Sequence, residues 1–231
     1  LKSHQAPGVV DAMQPLLGPD TTVVTAMNGV PWWYFHKLPG DGADKWEGYR
    51  IKAVDPDNRQ WDGIGPDRAI GCITYVASEV IEPGVVKSGG QFRYFIGEPD
   101  GSMSERGTAF RDIVAASGIK AELRPDLRND IWVKLMGNVA YNPSSALTLG
   151  SIGDMVNNPA METVLRGLMT EVMLVSRALG SAPNVSIDSR IETSRKGAGG
   201  HKTSMLQDLE RNRPMEIKPI IGAVSELGKL A

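Results

Sequence analysis

Residues 119–143 read "IKAELRPDLRNDIWVKLMGNVAYNP", and a change of architecture falls within them. The first five residues predict a short strand. After the Arg-Pro pair, Asp126 can cap a helix that runs through Trp132 and beyond. The stretch therefore predicts the point where an α/β part of the chain gives way to a helical part.

Upstream of residue 119, helix-like and strand-like segments alternate. Apolar residues recur at helical spacing over residues 9–17, "TTVVTAMNG" resembles a buried strand that ends in a turn, and residues 104–117 look helical. Three more β-like runs are "AIGCITYVA", "GVVKSG" and "FRYFIGE". This alternation favours an α/β sheet layer. Residues 36–68, rich in glycine, proline and charge, predict a long surface excursion.

Downstream of Arg124 the pattern becomes helical. Residues 159–180 and 187–195 predict helices, "RKGAGGHKTS" predicts a flexible connector, and the last part of the chain resumes helical spacing. No strand pattern is convincing there. We therefore predict an α/β domain over residues 1–123 and an all-α domain over residues 124–231.

The composition of the chain limits which classes of molecule we expect the protein to bind. The 231 residues are 41% hydrophobic, and their 25 basic and 27 acidic residues are scattered, which argues against binding nucleic acid or an anionic membrane. No apolar run approaches the roughly 20 residues that span a bilayer. Cys72, the single cysteine, predicts an inert buried thiol in a reducing compartment such as the cytoplasm. The three histidines lack metal-ligand spacing, so we predict no metal site.

The helix that follows Asp126 carries a polar stripe. Lys134, Asn138 and Asn142 lie at i, i+4 and i+8, within about 80° of one another on one helical face. Apolar residues surround them, so the helix is predicted to be buried with the stripe facing something polar. The alternative is that Lys134 extends to solvent while the amides cap a kink at Pro143.

Three further polar positions are candidates. Ser204 is spaced with Asp208 as in the first turn of a helix, and Glu216 stands alone before "IKPIIGAV". Both have an ordinary alternative, a helix start and a solvated carboxylate. Asn28 follows a predicted strand, where α/β folds place residues that contact ligands. Its alternative is a simple Asn-Gly turn.

Taken in order, these segments resemble the ketopantoate reductase (2-dehydropantoate 2-reductase) family. The resemblance is carried by "LKSHQ", "MNG", "EPGVVKSGG" with "IGEPDG", "WVKLMGNVAYNP" and above all "HKTSMLQDLERNRPMEI". It implies a Rossmann-type domain followed by an all-α domain, with the active site in the cleft between them. It also implies NADPH-dependent reduction of ketopantoate to pantoate, and a possible homodimer.

The resemblance also implies roles for individual residues. Lys134 matches the general-acid lysine. Asn138, Asn142, Ser204 and Glu216 match residues that bind the substrate, and Lys2 and Asn28 match residues near the nicotinamide end of the cofactor. One departure is Ile152, which stands where many members have another asparagine that contacts the substrate. That departure leaves the identity of the keto acid open. The alternatives are a reductase of a different 2-keto acid and, separately, a catalytically silent homologue that only binds a ligand.

The chemistry explains a lysine among amides. Hydride addition to a ketone leaves an alkoxide, which a positioned ammonium can stabilise and protonate. An apolar setting lowers the pKa of a lysine and makes its ammonium a better acid. The sequence contains no G-x-G-x-x-G turn after a strand, so we expect the dinucleotide turn to lie upstream of Leu1 and these 231 residues alone not to bind the dinucleotide usefully.

Overall fold

The computed structural model describes residues 1–40, 43–197 and 199–231, with the backbone alone at 77, 79, 90 and 91. Its strands are β1 (Val23–Thr25), β2 (Ala69–Glu82), β3 (Val85–Gly97) and β4 (Lys120–Leu123). Its helices are α1 (Val10–Met13), α2 (Arg59–Ile64), α3 (Glu105–Ala116), α4 (Leu127–Thr148), α5 (Ile152–Val156), α6 (Pro159–Ala178), α7 (Ile187–Gly197), α8 (Ser204–Glu210) and α9 (Ala223–Leu230). The predicted excursion and the predicted connector each lie partly outside the described residues, at 41–42 and at 198.

The four strands form one mixed sheet in the order β1-β2-β3-β4. β1 is parallel to β2, β2 is antiparallel to β3, and β3 is parallel to β4. The prediction of separate runs "GVVKSG" and "FRYFIGE" is wrong, because pairing with β2 continues past the glycines and makes both runs one strand. Gly84 turns the hairpin at φ +80°, a conformation that glycine adopts without strain.

Each face of the sheet has its own cluster of apolar residues. Ile70, Cys72 and Ile96 are buried on one face, where Phe110 of α3 packs against them. Ala69, Ile73 and Phe95 belong to a second and larger cluster, which includes α4 and α6. The sheet is therefore covered on both sides, as in an α/β layer.

The prediction of a surface excursion over residues 36–68 is wrong for much of that segment. Ile51 is fully buried, Val54 and Ile64 are 5% exposed, and Gln60 is 1% exposed. The carboxylate of Glu226 on α9 accepts hydrogen bonds from the Tyr49 hydroxyl at 3.0 Å and from two backbone N–H groups. These long-range contacts hold the segment against the helical part of the chain.

Two side chains of α4 fasten the preceding aromatic segment to that helix. The indole Nε1 of Trp132 donates to the Tyr34 hydroxyl at 2.7 Å, and both residues are fully buried. The guanidinium of Arg128 donates to the backbone oxygens of Tyr34, His36 and Pro99. One apolar cluster consequently unites residues on both sides of the predicted domain boundary near residue 124.

The helical part follows the sequence prediction closely. The side chain of Asp126 accepts a hydrogen bond from the Asn129 amide and caps α4, and Asn158 caps α6 in the same way. α4 continues past Pro143 to Thr148, so the proline does not end the helix. No helix of the described residues is long and apolar enough to cross a bilayer.

Candidate active site

The polar stripe of α4 faces a cleft of about 470 Å³. Lys134, Asn138 and Asn142 all line this cleft, and the β2-β3 hairpin, α7 and the start of α8 supply its other walls. Asn28 and Ser204 line it as well. Five of the seven predicted site residues therefore meet in one cavity, although they come from distant parts of the sequence.

Lys134 lies at the inner wall of the cleft. Its Nζ donates to the backbone oxygen of Thr74 at 2.8 Å and lies 5.6 Å from the centroid of the Tyr75 ring. Burial lowers the pKa of Lys134 to about 8, and the nearby Cys72 and Glu216 oppose that shift only in part. The alternative in which Lys134 extends to solvent is therefore wrong, since the ammonium is held inside.

The chemistry of this ammonium follows from its surroundings. Among the described side chains, no carboxylate lies within 4.0 Å of the Lys134 Nζ. A bond to one neutral carbonyl leaves other N–H donors of the ammonium available to a ligand in the cleft. Lys134 can therefore stabilise negative charge on an oxygen atom and transfer a proton to it near neutral pH.

Glu216 does not line the cleft itself but lies behind Asn28, which does. Its carboxylate is 4% exposed and accepts hydrogen bonds from the Ser3 backbone N–H at 2.9 Å and from the Asn28 side-chain amide at 3.3 Å. The alternative of a solvated glutamate is therefore wrong. Because Asn28 lines the cleft and also contacts Glu216, it connects the cavity to this buried carboxylate.

Lys2 completes a charged cluster beside Glu216. Its Nζ lies 2.6 Å from Asp208 and 3.8 Å from Glu216, and its side chain is 35% exposed. Asp208 is thus the ion-pair partner of Lys2. The predicted helix start is confirmed, since Ser204 is the first residue of α8, although Thr203 and not Ser204 supplies the cap.

Asn28 sits in the Asn-Gly turn that was its ordinary alternative, and it also reaches the cleft. Gly29 adopts φ +95°, and a Cβ there would lie 2.4 Å from the backbone oxygen of Pro219. The Val30 N–H donates to that same oxygen at 3.1 Å. The glycine therefore lets the turn pack closely against the π-helical turn after Glu216, which holds Asn28 next to that carboxylate.

The sequence interpretation missed several residues of the cleft. Arg190 on α7, His201 before α8 and Tyr75 on β2 all line it. Gly137 was an available signal, since a glycine in the middle of a helix weakens it by about 1 kcal/mol and indicates a close approach by another group. That group is the guanidinium of Arg190, whose Nη2 would lie 2.4 Å from a Cβ at Gly137.

Ile152 also lines the cleft, at the start of α5. Its backbone N–H donates to the His201 oxygen at 3.0 Å, and the next N–H donates to Gly199. An apolar side chain therefore stands in a wall that is otherwise rich in amides and hydroxyls. In the described part of the chain, no three metal-ligating side chains come together.

Comparisons with known proteins agree with this architecture. Residues 126–231 match the family model for the C-terminal part of the ketopantoate reductases PanE/ApbA. A 2-dehydropantoate 2-reductase from Mesorhizobium japonicum is 45% identical over the whole of this chain and 69% of its own length. A 2-dehydropantoate 2-reductase from Archaeoglobus fulgidus is 28% identical over 70% of this chain and 54% of its own length.

Solved structures show the same relationship. A protein from Ralstonia solanacearum assigned as a ketopantoate reductase is 33% identical and superposes with a TM-score of 0.92 over all of this chain and 68% of its own. A PanE/ApbA family ketopantoate reductase from Ralstonia eutropha is 25% identical, with a TM-score of 0.79 over all of this chain and 67% of its own. This agreement confirms the predicted fold class, a Rossmann-type α/β part followed by an all-α part. The chain therefore belongs to the ketopantoate reductase family.

Proposed function

We propose that the protein reduces 2-dehydropantoate (ketopantoate) to pantoate with NADPH and so serves pantothenate biosynthesis. The observation that carries this proposal is the Lys134 ammonium, which faces the cleft with a pKa lowered to about 8 and no carboxylate bound among the described side chains. An ion-paired lysine would be a weaker acid, because a carboxylate partner raises the pKa of the ammonium. Membership of the family gives the substrate class.

In the proposed reaction Lys134 acts as the general acid. When bound, NADPH supplies the hydride that converts the keto carbon to an alcohol carbon. The Lys134 ammonium hydrogen-bonds the keto oxygen, stabilises its developing negative charge and donates its proton to that oxygen. The neutral lysine then recovers a proton from solvent, while Thr74 holds the amine in place through its carbonyl oxygen.

The other candidate residues would bind and orient the keto acid. Asn138 and Asn142 follow Lys134 on the same helical face, and Ser204 stands in the wall formed by α8. Amides and hydroxyls can donate to the substrate without adding negative charge that would raise the pKa of Lys134. Glu216, placed behind Asn28, would accept the hydroxyl of ketopantoate after a small rearrangement of the Asn28 amide.

The residues near β1 fit the reactive end of a nicotinamide cofactor. In open α/β sheets, dinucleotides bind outside the carboxyl ends of parallel strands, and Asn28 follows β1 at that edge. Lys134 lines the same cleft as Asn28, so a cofactor ring at this edge would lie close to the substrate. Lys2, partly exposed beside this edge and paired with Asp208, would lie on the cofactor side.

We further propose that residues 1–123 and 124–231 form the cofactor domain and the substrate domain. The single cysteine, which is free and buried, supports a cytoplasmic location. A homodimer through the helical part is consistent with the exposed apolar residues Val164 and Leu174 on α6. Light scattering of the purified protein would test the dimer.

The function is tested by following NADPH oxidation by the native protein with a panel of 2-keto acids. We expect ketopantoate to be the best substrate. Replacement Lys134→Ala should lower kcat by about 10²-fold or more, as expected for loss of a general acid. Lys120→Ala, which removes an exposed lysine of β4, is the control and should leave kcat unchanged. A near-normal kcat for Lys134→Ala would remove Lys134 from the mechanism.

A second candidate function is reduction of a different 2-keto acid. The observation that favours it is Ile152, which gives the cleft an apolar wall where the family resemblance leads us to expect an amide. The same panel separates the two, because a higher kcat/KM for a keto acid without the hydroxyl would select this candidate. A catalytically silent homologue would bind a keto acid but oxidise no NADPH with any of them.

A further inference from the structure

Arg190 projects from α7 into the cleft that contains Lys134. It lines the cavity opposite the middle of α4, where Gly137 leaves room for its guanidinium. A Cβ at Gly137 would lie 2.4 Å from Nη2 of Arg190 and 3.3 Å from its Cζ. Glycine disfavours a helix interior, so its presence at this position is explained by the need to admit the guanidinium.

The guanidinium of Arg190 has no counter-charge among the described side chains. No described carboxylate lies within 4.0 Å of it, and its Nε is shielded from solvent without a hydrogen-bond partner. Arg195, on the same helix, instead binds Glu162, Glu192 and the Val156 oxygen. A shielded donor without a partner is unfavourable, so Arg190, which lines the cleft, would gain from an acceptor on a ligand bound there.

The cleft as a whole carries positive charge. Its described lining residues include Lys134 and Arg190 but no aspartate or glutamate. Lys134 and Gly137 are at i and i+3, neighbours on one face of α4, and the Arg190 guanidinium stands over Gly137, so both cations line the same cleft. A 2-keto acid presents a keto oxygen and a carboxylate on adjacent carbons, so a cleft lined by two cations and no described carboxylate suits its charge.

We propose that Arg190 binds the substrate carboxylate and thereby leaves the Lys134 ammonium for the keto oxygen. The planar guanidinium can donate two parallel hydrogen bonds to a carboxylate, a geometry that a lysine cannot reproduce. Ser204, on another wall, adds a neutral donor. The inference deepens the proposed function and rests on it for the identity of the ligand. It makes Arg190 a determinant of specificity for acids over neutral ketones.

The test compares two ligands of the same shape and different charge. Calorimetric titration of the native protein, with and without the oxidised cofactor NADP⁺, would use 2-ketoisovalerate and its uncharged amide, so that the heat reports binding and not reduction. We expect wild type to prefer the acid by about 10- to 100-fold, the range of a charge-assisted hydrogen bond. Arg190→Gln should remove most of that preference, because it should lower the affinity for the acid and leave the affinity for the amide unchanged. Arg190→Lys should keep part of it, since the charge remains and the planar fork is lost.

The control is Lys196→Gln, which removes one positive charge from α7 at a side chain that is 75% exposed. It should leave the preference unchanged. If Arg190→Gln lowers the affinity for both ligands equally, the proposal is overturned and Arg190 is a structural residue. A wild-type protein that binds acid and amide equally, or binds no acid, would overturn it as well.

Two features keep the result interpretable. Circular dichroism reports whether Arg190→Gln folds, and if it does not, the smaller change Arg190→Lys decides the question through the same ratio. The titration needs no turnover. A preference for the acid in a protein that reduces no keto acid would therefore refute the proposed function and leave the role of Arg190 intact.

Discussion

The pH dependence of the reaction provides a sharp test of Lys134. As a general acid it must be protonated, so kcat/KM should be constant below its pKa and fall as the pH rises through that value. Burial lowers this pKa to about 8. The protonated fraction is then about 91% at pH 7 and about 9% at pH 9, a decline of roughly tenfold. A lysine at its ordinary pKa would remain more than roughly 90% protonated at pH 9.

The assay is the initial rate of NADPH oxidation at low keto acid concentration across this pH range. Two variants assign the descending limb. Lys134→Arg keeps a positive charge but has no accessible pKa, so it should show low activity without that limb. Glu216→Gln removes a carboxylate whose charge favours the ammonium, so the limb should move below pH 8.

A profile that stays flat up to pH 10 would refute this reasoning, because it would place the lysine at its ordinary pKa. A limb that persists unchanged in an active Lys134→Arg variant would assign the titration to another group. The neighbouring thiol of Cys72 is the obvious one to check. Burial raises its pKa to about 12, so a limb near pH 8 cannot be attributed to it.

Two other predictions concern glutamates that lie outside α4. Glu216→Ala should lower the ratio of kcat/KM for ketopantoate over its deoxy analogue, since a buried carboxylate discriminates by being left unpaired without the hydroxyl. An unchanged ratio would mean that Glu216 does not bind the hydroxyl. Glu226→Ala removes the acceptor for the Tyr49 hydroxyl and two backbone N–H groups, and should lower the free energy of unfolding by about 1–3 kcal/mol in urea denaturation. Glu171→Ala, at an exposed position of α6, should change it by less than about 0.5 kcal/mol.

Local sequence was sufficient for most of the helices. Asp126 and Asn158 cap α4 and α6 where the sequence predicted helix starts, because a cap is a contact between residues two or three positions apart. The stripe of Lys134, Asn138 and Asn142 likewise follows from the helical repeat alone. That this stripe faces a polar space could therefore be expected from the sequence, before the elements that form the other walls of the cleft were known.

Strand continuity and burial were not local properties. The glycines between "GVVKSG" and "FRYFIGE" suggested a break, yet β3 pairs with β2 on both sides of them, with a shift of register between Gly89 and Arg93. The segment after Phe35 lacks a sustained apolar period. Ile51 and Val54 are nonetheless buried, because the segment between them is bound to Glu226 of α9, which comes from much later in the chain. Polar composition therefore misled the prediction of a surface excursion.

The features of the candidate active site also divide into those set by local sequence and those set by long-range packing. By itself the sequence determined which groups are present and which of them share a helical face, because covalent spacing and the helical repeat set those relations. Only the tertiary structure decided that Ser3 and Asn28 hold Glu216, across 213 and 188 residues, and that Arg190 stands over Gly137. Such long-range contacts depend on how whole helices and strands pack against one another. The burial that lowers the pKa of Lys134 arises from the same packing, and no stretch of sequence contains it.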